Sequence, residues 1–125
     1  MTYKLAWTHY RADRYAQAIL RFDALLGSEE RQLASESATY IAMCISEPDW
    51  DGDGADDPVS GLARPEAQAW LARTSSPVPV LRALVEVERD QARCEPARAA
   101  LRALAARDPS AAAEVEPTLA RCATR

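Results

Sequence analysis

Residues 81–104 read LRALVEVERDQARCEPARAALRAL, which is two amphipathic helix patterns with a short connection between them. The inward positions of the first pattern are Leu81, Leu84, Val85 and Glu88, and those of the second are Ala97, Ala100, Leu101 and Leu104. Side chains three and four residues apart share one face of a helix, so each pattern predicts a helix with one buried stripe. We place these helices at 79–91 and 95–107, and Asp108-Pro109 ends the second.

The rest of the chain carries the same kind of pattern. Further helices are predicted at 3–11, 14–26, 28–46 and 64–73, with a short last helix from Pro117. Asp13 and Ser28 stand where helix N-caps are favoured, and Gly27 stands where a helix commonly ends. No stretch has the alternating pattern of a β-strand. We therefore expect an all-α fold built from antiparallel helix hairpins.

The composition supports one helical domain and excludes two classes of partner. The chain has 125 residues, enough for a hydrophobic core, and 48% of them are hydrophobic. Four glycines and one phenylalanine are few for a β-sandwich or a barrel. A net charge of −4 and a pI near 5.0 argue against nucleic-acid binding. No apolar run is long enough to cross a bilayer, so we expect no membrane insertion.

Three cysteines, Cys44, Cys94 and Cys122, stand at apolar positions within or beside the helix patterns. An odd number without close spacing favours neither a disulfide framework nor a metal-binding motif. We therefore expect three free, buried thiols. Free thiols are typical of a reducing compartment.

Two segments of the chain have matching spacing. One contains Leu5, Ala6, Tyr15, Ala18, Phe22 and Leu25, and the other contains Leu84, Val85, Cys94, Ala97, Leu101 and Leu104. Over residues 2–26 and 79–109 this series resembles the tetratricopeptide repeat, in which small residues let the two helices of a hairpin approach closely. The chain departs from that pattern at His9 and Glu88, where tyrosine is usual, and at Cys94, where an aromatic residue is usual.

The resemblance implies a short right-handed solenoid of about three helix pairs and a C-terminal helix. Its units are a first repeat at 1–27, an irregular repeat at 28–76, a last repeat at 77–109 and a capping helix at 110–125. An acidic loop at 47–61 splits the irregular repeat. A solenoid of this family presents a concave face, lined by the first helix of each pair, that binds peptides or protein surfaces.

The acidic loop predicts a calcium site. Residues 49–57 read DWDGDGADD, and no basic residue occurs between Arg31 and Arg64. Calcium takes roughly six to eight oxygen ligands. Aspartates at alternating positions can direct their carboxylates to one side of a tight turn, and glycine permits such a turn. The candidate ligands are Asp49, Asp51, Asp53, the backbone carbonyl of Ala55, and Asp57. The pattern resembles the loops of EF-hands, dockerins and thrombospondin-type repeats, but Ser60 stands where those families have a carboxylate, which implies weaker binding.

Two interpretations of this loop stay open. It is either a structural calcium site that stiffens the joint between two helices, or a solvated acidic loop without a ligand. Calcium binding favours the periplasm or the extracellular space, where calcium at about millimolar concentration fills even a weak site. The expected free thiols instead favour a reducing compartment, so the localisation is left open.

The first helix carries aromatic residues at Tyr3, Trp7 and Tyr10, a spacing that puts them on one helix face. Together with Arg11 and Arg14 they form a candidate surface for an acidic peptide or protein. The alternative is that the rings belong to the core and the arginines form a solvated basic face. An uncovered aromatic face would also support association between copies of the chain.

No pattern in the sequence indicates catalysis. His9 is the only histidine, and it lacks partners at the spacing of a catalytic triad or a zinc site. We therefore expect no enzyme, and favour a protein-interaction or scaffold module with a structural calcium loop. The alternative is an assembly subunit that associates end to end through its N-terminal aromatic helix.

Overall fold

The fold is built from α-helices. A computed structural model describes residues 2–11, 14–48, 50, 61–120 and 122, and for residues 2–5 it describes the backbone only. The α-helices of this part are α1 (Thr2–Arg11), α2 (Tyr15–Asp23), α3 (Arg31–Ile45), α4 (Pro65–Arg73), α5 (Pro77–Asp90), α6 (Cys94–Arg107) and α7 (Pro109–Val115). Short 3₁₀ helices occur at Gly61–Ala63 and Glu116–Leu119, and the described residues contain no strand. The all-α prediction is confirmed.

Most helices pack against the helix that follows them in the chain, but α3 packs against α5, and α4 packs against α2. The main pairs are α1 with α2, α2 with α3, α3 with α5, α5 with α6, and α6 with α7. The Gln91 amide, just after α5, donates to the Ser46 hydroxyl, just after α3, at 3.1 Å. Because the C-terminal ends of α3 and α5 meet in this way, the two helices run in the same direction.

Helix α4 is held beside α2 by one carboxylate. The Oδ1 atom of Asp23 accepts hydrogen bonds from the Trp70 indole at 2.8 Å and from the Thr74 hydroxyl at 2.7 Å. The Trp70 side chain is fully buried, so its N–H needs such an acceptor. This contact joins the end of α2 to the second half of α4.

Small residues stand where helices approach each other closely. Ala18 on α2 and Ala97 on α6 are both fully buried, as expected for the matching positions of the two hairpins. Phe22 and Leu104 fill the space beside them and are also fully buried, whereas Leu101 is partly exposed. Burying such a large apolar side chain contributes about 1.5–3 kcal/mol to the free energy of folding.

Proline begins three of the helices. Pro65 is the first residue of α4, as predicted, but α5 begins at Pro77 rather than Pro79. The last α-helix begins at Pro109, where the Asp108 carboxylate accepts a hydrogen bond from the Ala111 amide at 3.1 Å and caps α7. The predicted short helix at Pro117 is a 3₁₀ helix over Glu116–Leu119. Proline suits the first helical position, where its missing N–H would have no intrahelical partner.

No helix in the described ranges combines the length and the apolar character that crossing a bilayer requires.

The expectation of three free thiols is wrong for two of them. Cys94 and Cys122 form a disulfide with their Cα atoms 5.6 Å apart, and only Cys44, a buried residue of α3, is free. The bridge ties the first residue of α6 to the segment after the second 3₁₀ helix. The error has a physical cause: the two cysteines are 28 residues apart in sequence, but α7 turns the chain back along α6. Burial, and then the charge of Glu47, raise the pKa of the Cys44 thiol to about 12.

We predict that thiol titration gives no reactive thiol in the native protein, one after unfolding, and three after unfolding with a reductant. A Cys94→Ser, Cys122→Ser double variant should lose about 3 kcal/mol of unfolding free energy, because its unfolded chain is no longer constrained. Urea unfolding of the two proteins measures this loss. A count of three thiols in the unfolded protein without reductant would contradict the bridge.

Candidate functional site at the base of the acidic loop

The predicted calcium ligands Asp49, Asp51, Asp53, Ala55 and Asp57 lie outside the described residues, so the calcium site stays a prediction. Within the described ranges, no group of three or more histidine, cysteine or acidic side chains could hold a metal ion. The described residues at both ends of this loop, however, form a polar cluster with residues from the end of α5 and the start of α6. We call this cluster the loop base, and it consists of Ser46, Glu47, Trp50, Gly61, Arg64, Glu88 and Arg93.

Arg64 joins the two ends of the loop. Its Nη2 atom donates a hydrogen bond to the backbone carbonyl of Glu47. Its guanidinium carbon lies 4.4 Å from the ring centroid of Trp50, which is a cation–π contact. The residue is only 2% exposed, so both interactions take place away from bulk water. A single buried side chain therefore connects the end of α3 to the start of α4.

Arg93 binds the same end of α3 from another direction. Its Nη1 atom donates to the backbone carbonyl of Ser46. The carbonyls of the last helical turn have no partner within the helix, and they form the negative end of the helix dipole. Two guanidinium groups, from Arg64 and Arg93, therefore satisfy and neutralise the C-terminal end of α3.

Glu88 places a carboxyl group inside this cluster. Its side chain is fully buried, and its Oε1 atom lies 3.5 Å from Nη1 of Arg93. Burial raises the pKa of Glu88 to about 7, and the positive charges of Arg93 and Arg64 offset only part of that rise. Gly61 has a positive φ of 61°, and a Cβ atom at this position would lie 2.6 Å from Oε2 of Glu88. The backbone therefore favours glycine at 61, and a larger residue there would also displace the Glu88 carboxyl group.

Sequence reasoning missed this cluster. Glu88 was placed on the inward stripe of its helix, but no partner was assigned to it. An acidic residue at an inward helical position is itself a signal, because a buried carboxyl group needs a nearby cation or a proton. Arg64 and Arg93 could not be chosen from the sequence, since both reach the cluster through long-range contacts.

The predicted partner surface on α1 is partly covered. Trp7 and Tyr10 are half-buried, with their ring centroids 5.6 Å apart, and both rings contact Tyr40 of α3 at 5.1 and 5.3 Å. Arg11 is exposed and its guanidinium lies 5.8 Å from the Trp7 ring. Arg14 is exposed and its Nε atom donates to Nδ1 of His9 at 3.0 Å. The side chain of Tyr3 lies outside the described residues.

The aromatic rings connect this surface to the loop base. Tyr10 contacts Tyr15 with a centroid distance of 6.2 Å, and Tyr15 contacts Trp50 at 5.4 Å. Trp50 in turn stacks with Arg64. Edge-to-face and tilted ring contacts of this kind contribute about 0.5–1.5 kcal/mol each beyond their burial. The start of the chain and the loop base are thus parts of one packed region.

A separate groove lies where the N-terminal halves of α3 and α5 meet. It has a volume of about 430 Å³. Its floor contains small side chains, among them Ala34, Ala38 and Ala83, and its rim carries Arg31 and Glu86. The groove opens on the opposite end of α3 from the loop base, so the two features occupy different ends of the helix pair.

Comparison with protein-family models, with curated proteins and with solved structures finds no match for this chain. The resemblances to tetratricopeptide repeats and to calcium loops therefore rest on the residues of this sequence.

We predict that Arg64→Ala lowers the free energy of unfolding by about 3 kcal/mol. The substitution removes the donor to the Glu47 carbonyl, uncovers the Trp50 ring and takes one cation away from Glu88. Arg64→Lys should recover only part of this loss, because an ammonium group lacks the planar fork that reaches both contacts. Urea unfolding followed by tryptophan fluorescence measures the effect.

The matched control is Arg73→Ala, an exposed arginine at the opposite end of α4 from Arg64. It should change the unfolding free energy by no more than about 0.5 kcal/mol. Equal losses in the Arg64 and Arg73 variants would mean that the loop base contributes nothing beyond an ordinary surface charge.

Proposed function

We propose that this protein is a helical protein-interaction module in which the acidic loop binds a structural calcium ion. The observation that carries the proposal is the closure of the loop at its base, where Arg64 bridges to Glu47 and stacks on Trp50. A loop whose ends are already held loses less conformational freedom when it binds an ion than a loop with free ends.

The chemistry of the loop favours calcium over other ions. Its candidate ligands Asp49, Asp51, Asp53 and Asp57 are carboxylates, and Ala55 adds a carbonyl, which together make the hard oxygen set that calcium takes. Aspartates this close in sequence repel each other unless water or a cation screens them. The ion would stiffen the joint between α3 and α4. Ser60 in place of an acidic ligand makes this a weak site.

The disulfide supports a location outside the cytoplasm. Disulfides persist in oxidising compartments, where calcium is also at about millimolar concentration. Three free thiols, as expected from the sequence, would favour a reducing compartment. The bridge between Cys94 and Cys122 removes that support for a reducing compartment. We therefore propose the periplasm or the extracellular space.

The partner proposed for this module is a protein or peptide. The half-buried rings of Trp7 and Tyr10, with exposed Arg11 and Arg14 beside them, offer apolar area and positive charge together. Aromatic residues and arginine are enriched where protein surfaces bind tightly. The parallel course of α3 and α5 is consistent with stacked hairpins of the tetratricopeptide kind, and we propose that arrangement for the whole chain.

We predict that calcium raises the midpoint of thermal unfolding relative to a chelator. Only binding to the native state stabilises, by about 2.7 kcal/mol at one hundred times the dissociation constant. Asp51→Ala should lose the response. Glu29→Ala removes the same charge from an exposed site outside the loop and should keep it. If calcium leaves the unfolding midpoint of the wild-type protein unchanged, the loop is a solvated acidic segment.

The second candidate, an assembly subunit, uses the same aromatic helix. Because Trp7 and Tyr10 are partly exposed, they can contact another copy of the chain. Assembly predicts that the mass measured by light scattering rises with concentration and that Trp7→Ala reduces the rise. A strict monomer at high concentration would leave the interaction module as the function.

A further inference from the structure

A buried carboxyl group stands at the centre of the loop base. Glu88 lies in the last turn of α5 with no exposed surface. Within the part of the chain that the structure describes, neither of its carboxylate oxygens accepts a hydrogen bond. Carboxyl groups are seldom buried in this way, because the charged form loses its hydration. The charge state of Glu88 therefore depends on the cations around it.

Two neighbouring segments face this carboxyl group. They contribute Arg93, the residue before α6, and Gly61 and Arg64 at the first 3₁₀ helix. Both arginines in turn donate to the end of α3, at the carbonyls of Glu47 and Ser46. The charges that act directly on Glu88 are the guanidinium groups of Arg93 and Arg64.

The ionisation of Glu88 changes the balance of charge in the cluster. When the carboxyl group is ionised, it attracts the guanidinium groups of Arg93 and Arg64. When it is protonated, these two guanidinium groups have no buried carboxylate from α5 to balance their charge. Charges interact more strongly away from bulk water, so this difference acts on the contacts that both arginines make with α3.

The titration falls in the physiological range. Burial raises the pKa of Glu88 to about 7 against the lowering effect of Arg93 and Arg64. A small change of pH near neutrality therefore changes the fraction of molecules in which the carboxyl group is charged.

We propose that Glu88 is a pH-responsive switch at the loop base. Its ionisation holds Arg93 and Arg64 in place at the loop base by charge attraction, and its protonation removes that attraction and shifts the contact between Arg64 and Trp50. The switch goes beyond the calcium proposal and does not depend on it, since every group in it belongs to the described residues.

The effect on overall stability has a definite sign. Between an ordinary glutamate pKa near 4.5 and the folded value of about 7, the folded protein binds the proton and the unfolded chain does not. The Glu88 contribution to the free energy of unfolding is therefore fully present below this window and declines as the pH rises through it. Glu88→Gln keeps the shape of the protonated side chain and should abolish this decline.

The direct test is nuclear magnetic resonance of the protein labelled with ¹³C at the glutamate carboxyl groups and ¹⁵N at the indole nitrogens, without calcium. We expect one carboxyl resonance with a midpoint near 7, which is absent from Glu88→Gln. The indole resonance of Trp50, assigned with Trp50→Phe, should shift with the same midpoint in the wild-type protein and stay constant in Glu88→Gln. Through-bond assignment in the wild-type protein provides the same answer if Glu88→Gln does not fold.

The control is His9→Gln, which removes the one imidazole of the chain and should keep the Trp50 transition. A Glu88 resonance that titrates together with the exposed carboxylates would overturn the proposal. A Trp50 resonance that stays constant while Glu88 titrates would overturn it as well, because the charge would then change without moving the loop base. Thermal unfolding of the same protein with calcium and with a chelator tests the proposed function separately.

Discussion

The hydrogen bonds that Arg64 and Arg93 donate to the last carbonyls of α3 hold together parts of the chain that are far apart in sequence. One bond spans 17 residues and the other spans 47. The acceptors are carbonyls that a helix cannot satisfy itself, and the donors carry the charge that its C-terminal end favours. The entropy cost of closing a long loop grows slowly with its length, so a few buried contacts of this kind can offset it. The residues just before α4 and just before α6 are both held to this end of α3.

The helices could be predicted from the sequence because each has its own local periodicity of apolar residues. The stripes on α2, α5 and α6 were recognised from spacing alone, and most of those residues are in the core. The packing partners could not be predicted in the same way. Asp23 holds α4 through contacts 47 and 51 residues away, and the disulfide joins residues 28 apart. No local pattern distinguishes a carboxylate that accepts such bonds from one that faces water.

The candidate site likewise has one part that is local in sequence and one part that is formed by long-range contacts. The aspartates of residues 49–57 are close in sequence, so their spacing alone suggested a calcium loop. The loop base is formed by Arg64, Glu88 and Arg93, which belong to separate segments and meet only in the folded chain. One residue of this cluster, Glu88, can nonetheless be recognised from the sequence. An acidic residue on the buried stripe of α5 conflicts with its apolar neighbours, and such conflicts between local and global pattern tend to mark functional or strained sites.

The conflict at Glu88 has a cost and a consequence. A buried ion pair is often no more stabilising than apolar residues of the same volume, because both charges lose their hydration. An apolar residue at 88, however, would have no charge with which to attract Arg93 and Arg64. The carboxyl group has Arg93 within reach on one side and the backbone of Gly61 on the other. Glu88 therefore links α5 to the start of α6 and to the residues that follow the acidic loop, and it does so through a group whose charge is sensitive to pH.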